Sequence, residues 1–139
     1  MSAPAFFLHC LESSAKQVNS VFNGIAESLW DHQITPEAMS PRQTAIHLAQ
    51  CYTAFITEAN GEPWDWSKPF DLGTSEPSAV LSRVNTLRAE AIDLVRSTEI
   101  EEVLTKAADF ILMHDCYHVG QMALFRMRTD PNWDPYSIY

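Results

Sequence analysis

Two histidines four positions apart, His114 and His118, stand inside LMHDCYHVGQMALF, residues 112–125. On a helix that spacing stacks both side chains on one face, with Cβ atoms about 6 Å apart. Two imidazoles so placed can bind one metal ion at about 2.0–2.1 Å each. Ala107, Ile111, Gln121, Met122 and Phe125 share the face, so the pair is expected to point inward. Buried ring nitrogens need partners, and an ion would satisfy both at once. The plain alternative is a pair of core histidines bonded to backbone or to a carboxylate. With five histidines in the chain, the pair is a weak motif until a third ligand joins it.

The elements that must position that ligand follow from the periodicity. Only four glycines occur in 139 residues, and apolar positions recur at three and four, which predicts helices throughout. A first helix is expected over residues 5–29, with Phe7, Val18, Val21, Phe22, Ile25 and Leu29 on its apolar stripe. The second opens at Ser40-Pro41 with Gln43 completing a capping box, and ends near Asn60-Gly61. His47 lies close to the inward side of this helix, with Cys51 one turn later, and is the candidate third ligand. A third helix is read from about Ser75, with Pro77 in its first turn, to Arg96; Arg83, Arg88, Glu90 and Asp93 read as its solvated face. The fourth is expected from Thr98, capped with Glu101, through the histidine pair to about Arg128. Between the second and third, residues 61–77 (GEPWDWSKPFDLGTSEP) read as a long ordered loop that lids a pocket or covers one end of the bundle. The tail, TDPNWDPYSIY, is expected to fold back. The fold class is therefore all-α, a four-helix bundle in one domain over residues 1–139, and such bundles build metal sites between facing helices.

The remaining polar residues are assigned lesser parts. Asp115 is turned about 100° from His114 on a helix and reads as a surface or subunit-contact carboxylate. Tyr117 reads as a packed core tyrosine, with donation to a bound substrate as the alternative. Cys51 is a soft fourth-ligand candidate or a small buried apolar residue. Glu58 is too far along its helix to reach the same ion, and His9 and His32 read as packing or surface residues.

Composition narrows the partners. A net charge of −9, with no basic patch, disfavours nucleic acid and anionic membrane. No apolar run approaches the length of a membrane span, and MSAPAFFLHCLESS lacks the basic start of a signal peptide. Three cysteines without a C-x-x-C suit reduced thiols, so a cytoplasmic protein is expected.

The joint pattern, an inward histidine in SPRQTAIHLAQCY and H-x3-H-x2-Q in HDCYHVGQM, resembles the DinB/YfiT-like superfamily of metal-dependent helix bundles. The resemblance in element order spans most of the chain, and its motifs span those two stretches. It implies a divalent metal site from His47, His114 and His118, a homodimer, and a supporting or packing role for Gln121. Imidazole ligands suit Zn²⁺ or Ni²⁺ first and Fe²⁺ or Mn²⁺ next. Three of them leave coordination positions open for chemistry. Relatives that transfer groups to or from low-molecular-weight thiols make a thiol-dependent S-transferase acting on a small molecule the leading expectation, with hydrolysis next. The competing reading is a non-catalytic dimeric bundle that binds a metal or small molecule without turnover.

Overall fold

Ser40 starts the second helix as its residue types dictate. Its hydroxyl accepts from Gln43 N at 3.2 Å, the Gln43 side chain accepts from Ser40 N at 2.9 Å, and Pro41 occupies the first helical position. The computed structural model describes residues 3–139. Its helices are α1 (Ala3–Phe22), α2 (Pro41–Ala59), α3 (Pro77–Ser97), α4 (Glu101–Ala107) and α5 (His114–Thr129). A π-helical turn, Ala108–Met113, joins α4 to α5, so the two form one rod, the fourth of an all-α four-helix bundle. Helix α2 lies against α3, and α1 lies against both α5 and α3. Among the described residues no helix is long and apolar enough to cross a membrane.

Three boundaries differ from the sequence reading. Helix α1 stops at Phe22, because Gly24 adopts a left-handed φ of 76° that ends the helix at little cost. Ile25 and Leu29 therefore sit in the connection, while Trp30 is buried beside Phe22. Helix α3 is capped by the Glu76 carboxylate, which accepts from Ala79 N at 3.0 Å, and Ser75 takes no part. The expected Thr98–Glu101 box does not form: Thr98 Oγ1 accepts from Ile100 N instead, and α4 begins at Glu101.

The loop before α3 is ordered by its aromatics. Trp64 packs on Trp66 and Phe70, and Trp66 stacks on Phe110 of the π turn at 6.5 Å. The tail folds back through a short 3-10 turn, Pro135–Ile138. Trp133 lies under the Arg126 guanidinium, and Trp133 and Ile138 pack on the core, whereas Tyr136 and Tyr139 face solvent.

The largest departure lies in the interior. Arg88 and Asp115, read as surface groups, are 3% and 0% exposed and form an ion pair. Tyr52, fully buried on α2, donates to Asp115 Oδ1 at 2.5 Å and accepts from Arg88 Nη1 at 2.8 Å. Arg88 Nη2 reaches α1, donating to Ser14 Oγ at 2.7 Å and to Leu11 O at 3.1 Å. One polar network thus ties α1, α2, α3 and α5 together, inside a core of Leu11, Leu48, Val84 and Ile111.

Removing one partner of a buried pair leaves an uncompensated charge and costs about 3–5 kcal/mol. Arg88→Met is expected to lose that much in urea unfolding, and adding Asp115→Leu to recover most of it. A double variant as unstable as the single one would contradict this account.

Candidate metal centre

His47 comes from the middle of α2, His114 opens α5, and His118 follows one turn later. The Nε2 atoms of His47 and His118 lie 3.1 and 3.0 Å from His114 Nε2. Three nitrogens held at 2.0–2.1 Å by one tetrahedral ion would be about 3.3 Å apart. The rings meet edge-on in all three pairs, at interplanar angles of 68°, 75° and 78°. Such a cluster has the geometry to hold a metal ion.

Proton accounting shows that the cluster fits an ion. Gln121 Oε1 lies 2.8 Å from His118 Nδ1. An amide oxygen can only accept, so that nitrogen carries the proton and Nε2 presents a lone pair to the cluster. His114 Nε2 then faces two ring nitrogens at once. A single ring nitrogen has one hydrogen or one lone pair, and cannot make two well-directed bonds. His114 Nδ1 is moreover buried without a partner. A cation among three lone pairs removes the conflict at Nε2.

Electrostatics favours the same protonation state. Burial, then the neighbouring imidazoles, holds His114 down to about 4; burial and His47 do the same to His118. Burial also lowers His47, against a hydrogen bond that its ring donates to the Gln50 side chain. All three are neutral near pH 7, the form that binds metal. Burial, with Asp115 adding to it, pushes the Cys51 thiol up to about 12. Asp115 is raised to about 6 by burial, against the pull of Arg88 and Tyr52.

The three expected ligands are thus brought together, and the other candidates are sorted around them. Cys51 is buried with Sγ 3.9 Å from His47 Nε2 and 3.8 Å from His114 Nε2. Glu58 pairs with Lys106 at 3.2 Å instead. His9 and His32 are exposed and lie outside the cluster. Tyr117 is 63% exposed rather than packed in the core, because the following residue, His118, takes the inward direction. Its ring lies against His118, and its hydroxyl accepts from Gln121 Nε2 at 3.0 Å. Tyr117, Gln121 and His118 therefore form a chain running from solvent to the cluster. Asp115 lies outside the three-histidine group, in the charge network. The signal for it was its register: four residues after Ile111 and four before Val119, it falls on the buried stripe, as Arg88 does between Val84 and Ala91.

The fold and the cluster together describe an all-α helix bundle with a group of three histidines that could hold a metal ion. The family model described as the DinB superfamily matches residues 11–122, most of the chain, and the chain belongs to that superfamily. The matched stretch contains all three histidines and the whole charge network. No match was found among curated proteins or among solved structures.

The depressed imidazoles set a pH dependence for the metal-free chain. Once unfolded, each histidine takes up its proton near 6.5, whereas His114 and His118 in the fold resist until about 4. The unfolded chain binds more protons in that window, so stability falls as pH drops through it. Asp115 acts oppositely between about 6 and its ordinary 3.8, and offsets one histidine. The urea midpoint of chelator-stripped protein is expected to drop between about pH 7 and 4.5, and to drop less in His118→Ala. A profile that is flat or rises on acidification would contradict the burial of neutral imidazoles.

Proposed function

We propose that this chain is a metal-dependent enzyme in which His47, His114 and His118 hold one divalent transition ion, Zn²⁺ or Ni²⁺ before Fe²⁺ or Mn²⁺. The observation that carries the reading is the convergence of three Nε2 atoms, one of them fixed as a lone-pair donor by Gln121. The favoured reaction is thiol-dependent S-transfer to a small electrophile, the reaction that the resemblance to thiol-using DinB-like bundles implies. When bound, such an ion supplies Lewis acidity that lowers the pKa of a coordinated thiol or water and orients it. The protein supplies the remaining parts. Gln121 holds the His118 ring in its ligating tautomer. Tyr117, anchored by the other end of the same amide, offers its hydroxyl proton to a substrate beside the cluster. The Arg88–Asp115 network keeps α2 and α5 in register.

The test is turnover of metal-loaded protein with a panel of small thiols and an activated aryl halide. Chelation and His118→Ala are expected to abolish it, and Tyr117→Phe to slow it about hundredfold to thousandfold, as losing one positioned donor does. Thiol-independent turnover of esters or amides would replace transfer by hydrolysis. No turnover of either kind would leave the non-catalytic bundle.

We also propose that the chain pairs with a second copy through the outer face of its fourth rod. Met113, Tyr117, Leu124 and Met127 are exposed there at helical spacing, with Phe110 at the end of the stripe. Gly120 is exposed in its middle, and a Cβ at Gly120 would meet nothing within 4 Å. A mid-helix glycine costs about 0.5–1 kcal/mol relative to alanine, and nothing within the chain requires this one. The stripe is also self-complementary about the point between His118 and Val119. Antiparallel pairing there sets Tyr117 on the partner's Gly120, Met113 on the partner's Leu124, and Asp109 beside the partner's Arg128. Such an isologous contact suits a two-fold dimer. In light scattering, Asp109→Arg or Arg128→Asp alone is expected to shift the protein towards monomer, and the double exchange to restore the dimer. A monomeric wild type, or single variants that stay dimeric, would contradict this pairing.

A further inference from the structure

Cys51 follows His47 by one turn of α2, so the two side chains leave the helix on the same face. Its sulfur approaches two ring nitrogens of the cluster, His47 Nε2 at 3.9 Å and His114 Nε2 at 3.8 Å. A thiolate at about 2.3 Å and an imidazole at about 2.0–2.1 Å on one tetrahedral ion are separated by about 3.6 Å. Both observed separations exceed that by only a few tenths of an ångström. At 3% exposure the side chain is too enclosed to serve as a surface thiol. All three cysteines fall outside the three-histidine group as it stands, with Cys51 bordering two of its nitrogens.

Resting on the three-histidine reading, we infer that Cys51 Sγ is a fourth protein ligand, which makes the donor set three imidazoles and one thiolate. On loading, the metal–sulfur bond forms and the thiol proton leaves to solvent; no oxidant or reductant is involved. This ligand sets metal choice. A soft thiolate favours Zn²⁺ over Mn²⁺, whereas imidazoles alone discriminate less. It also divides the site into two sides. The sulfur adjoins His47 and His114, while Gln121 and Tyr117 flank His118, so the His118 side is the one left to an incoming ligand.

Cobalt distinguishes this assignment from the one it rests on. Chelator-stripped full-length protein titrated with Co²⁺ alone is expected to show the visible d–d bands of a low-coordinate ion. A near-ultraviolet thiolate-to-cobalt charge-transfer band should appear with them, both saturating at one equivalent. Cys51→Ser and Cys51→Ala should keep the visible bands and lose the charge-transfer band, while the double variant Cys10→Ser/Cys116→Ser keeps both. Zn²⁺ affinity should fall at least about tenfold in Cys51→Ser, on the scale of lost support around a metal, with Mn²⁺ affinity unchanged. Visible bands without charge transfer in the wild type would overturn the Cys51 assignment and leave the histidines standing. No cobalt bands at all would overturn both. Helix content of each variant, read by circular dichroism, separates loss of a ligand from loss of the fold.

Discussion

A guanidinium and a carboxylate held out of water at the centre of a helical bundle constrain everything around them. Burying such a pair costs desolvation that only good geometry and further hydrogen bonds offset. Here the Arg88–Asp115 pair is supported by Tyr52 from α2 and by Ser14 and the Leu11 carbonyl from α1, with Arg88 Nε left without a hydrogen-bond partner. Each of the four rods contributes a group, so none can rotate or slide without stranding a buried charge. The chain then uses adjacency. Cys51 precedes Tyr52 and His114 precedes Asp115, and neighbouring residues on a helix point about 100° apart. With Tyr52 and Asp115 held in the network, Cys51 and His114 are turned from it by that angle, towards His47.

The π-helical turn has a related consequence. Ala108–Met113 interrupts the regular progression of the fourth rod immediately before His114. Inserted turns of this kind rephase the residues that follow and recur at functional sites. Phe110, within it, also receives Trp66 from the long loop, so loop and rod are fastened just upstream of the histidines.

Much of this was legible in the residues. Ser40, Pro41 and Gln43 announce α2 because capping is local chemistry, and the H-x3-H spacing needs only helical geometry to bring two nitrogens together. His47 reaches the other two histidines because its helix has a clear apolar side. The boundary of α1 was misplaced because apolar spacing continues through Ile25 and Leu29, while a single glycine decides the turn. The Thr98 cap failed because another start, one residue after Ile100, was equally open. Arg88 and Asp115 were read by residue type rather than by register. Each sits on the buried stripe of its helix, and only the partner from another helix makes that position tolerable. Tyr117 was read as core for the opposite reason, since an aromatic beside His118 looks inward until the phase of α5 is fixed by Asp115. The π turn leaves no periodic mark in six residues.

The account comes down to whether the three neutral imidazoles hold an ion. The direct measurement is elemental analysis of protein purified without a histidine tag, beside His47→Ala and His114→Ala. The account predicts near one divalent ion per chain in the wild type and its loss in both variants, with helix content retained. A wild type that stays metal-free after incubation with Zn²⁺ and Ni²⁺, or variants that keep full occupancy, would contradict it.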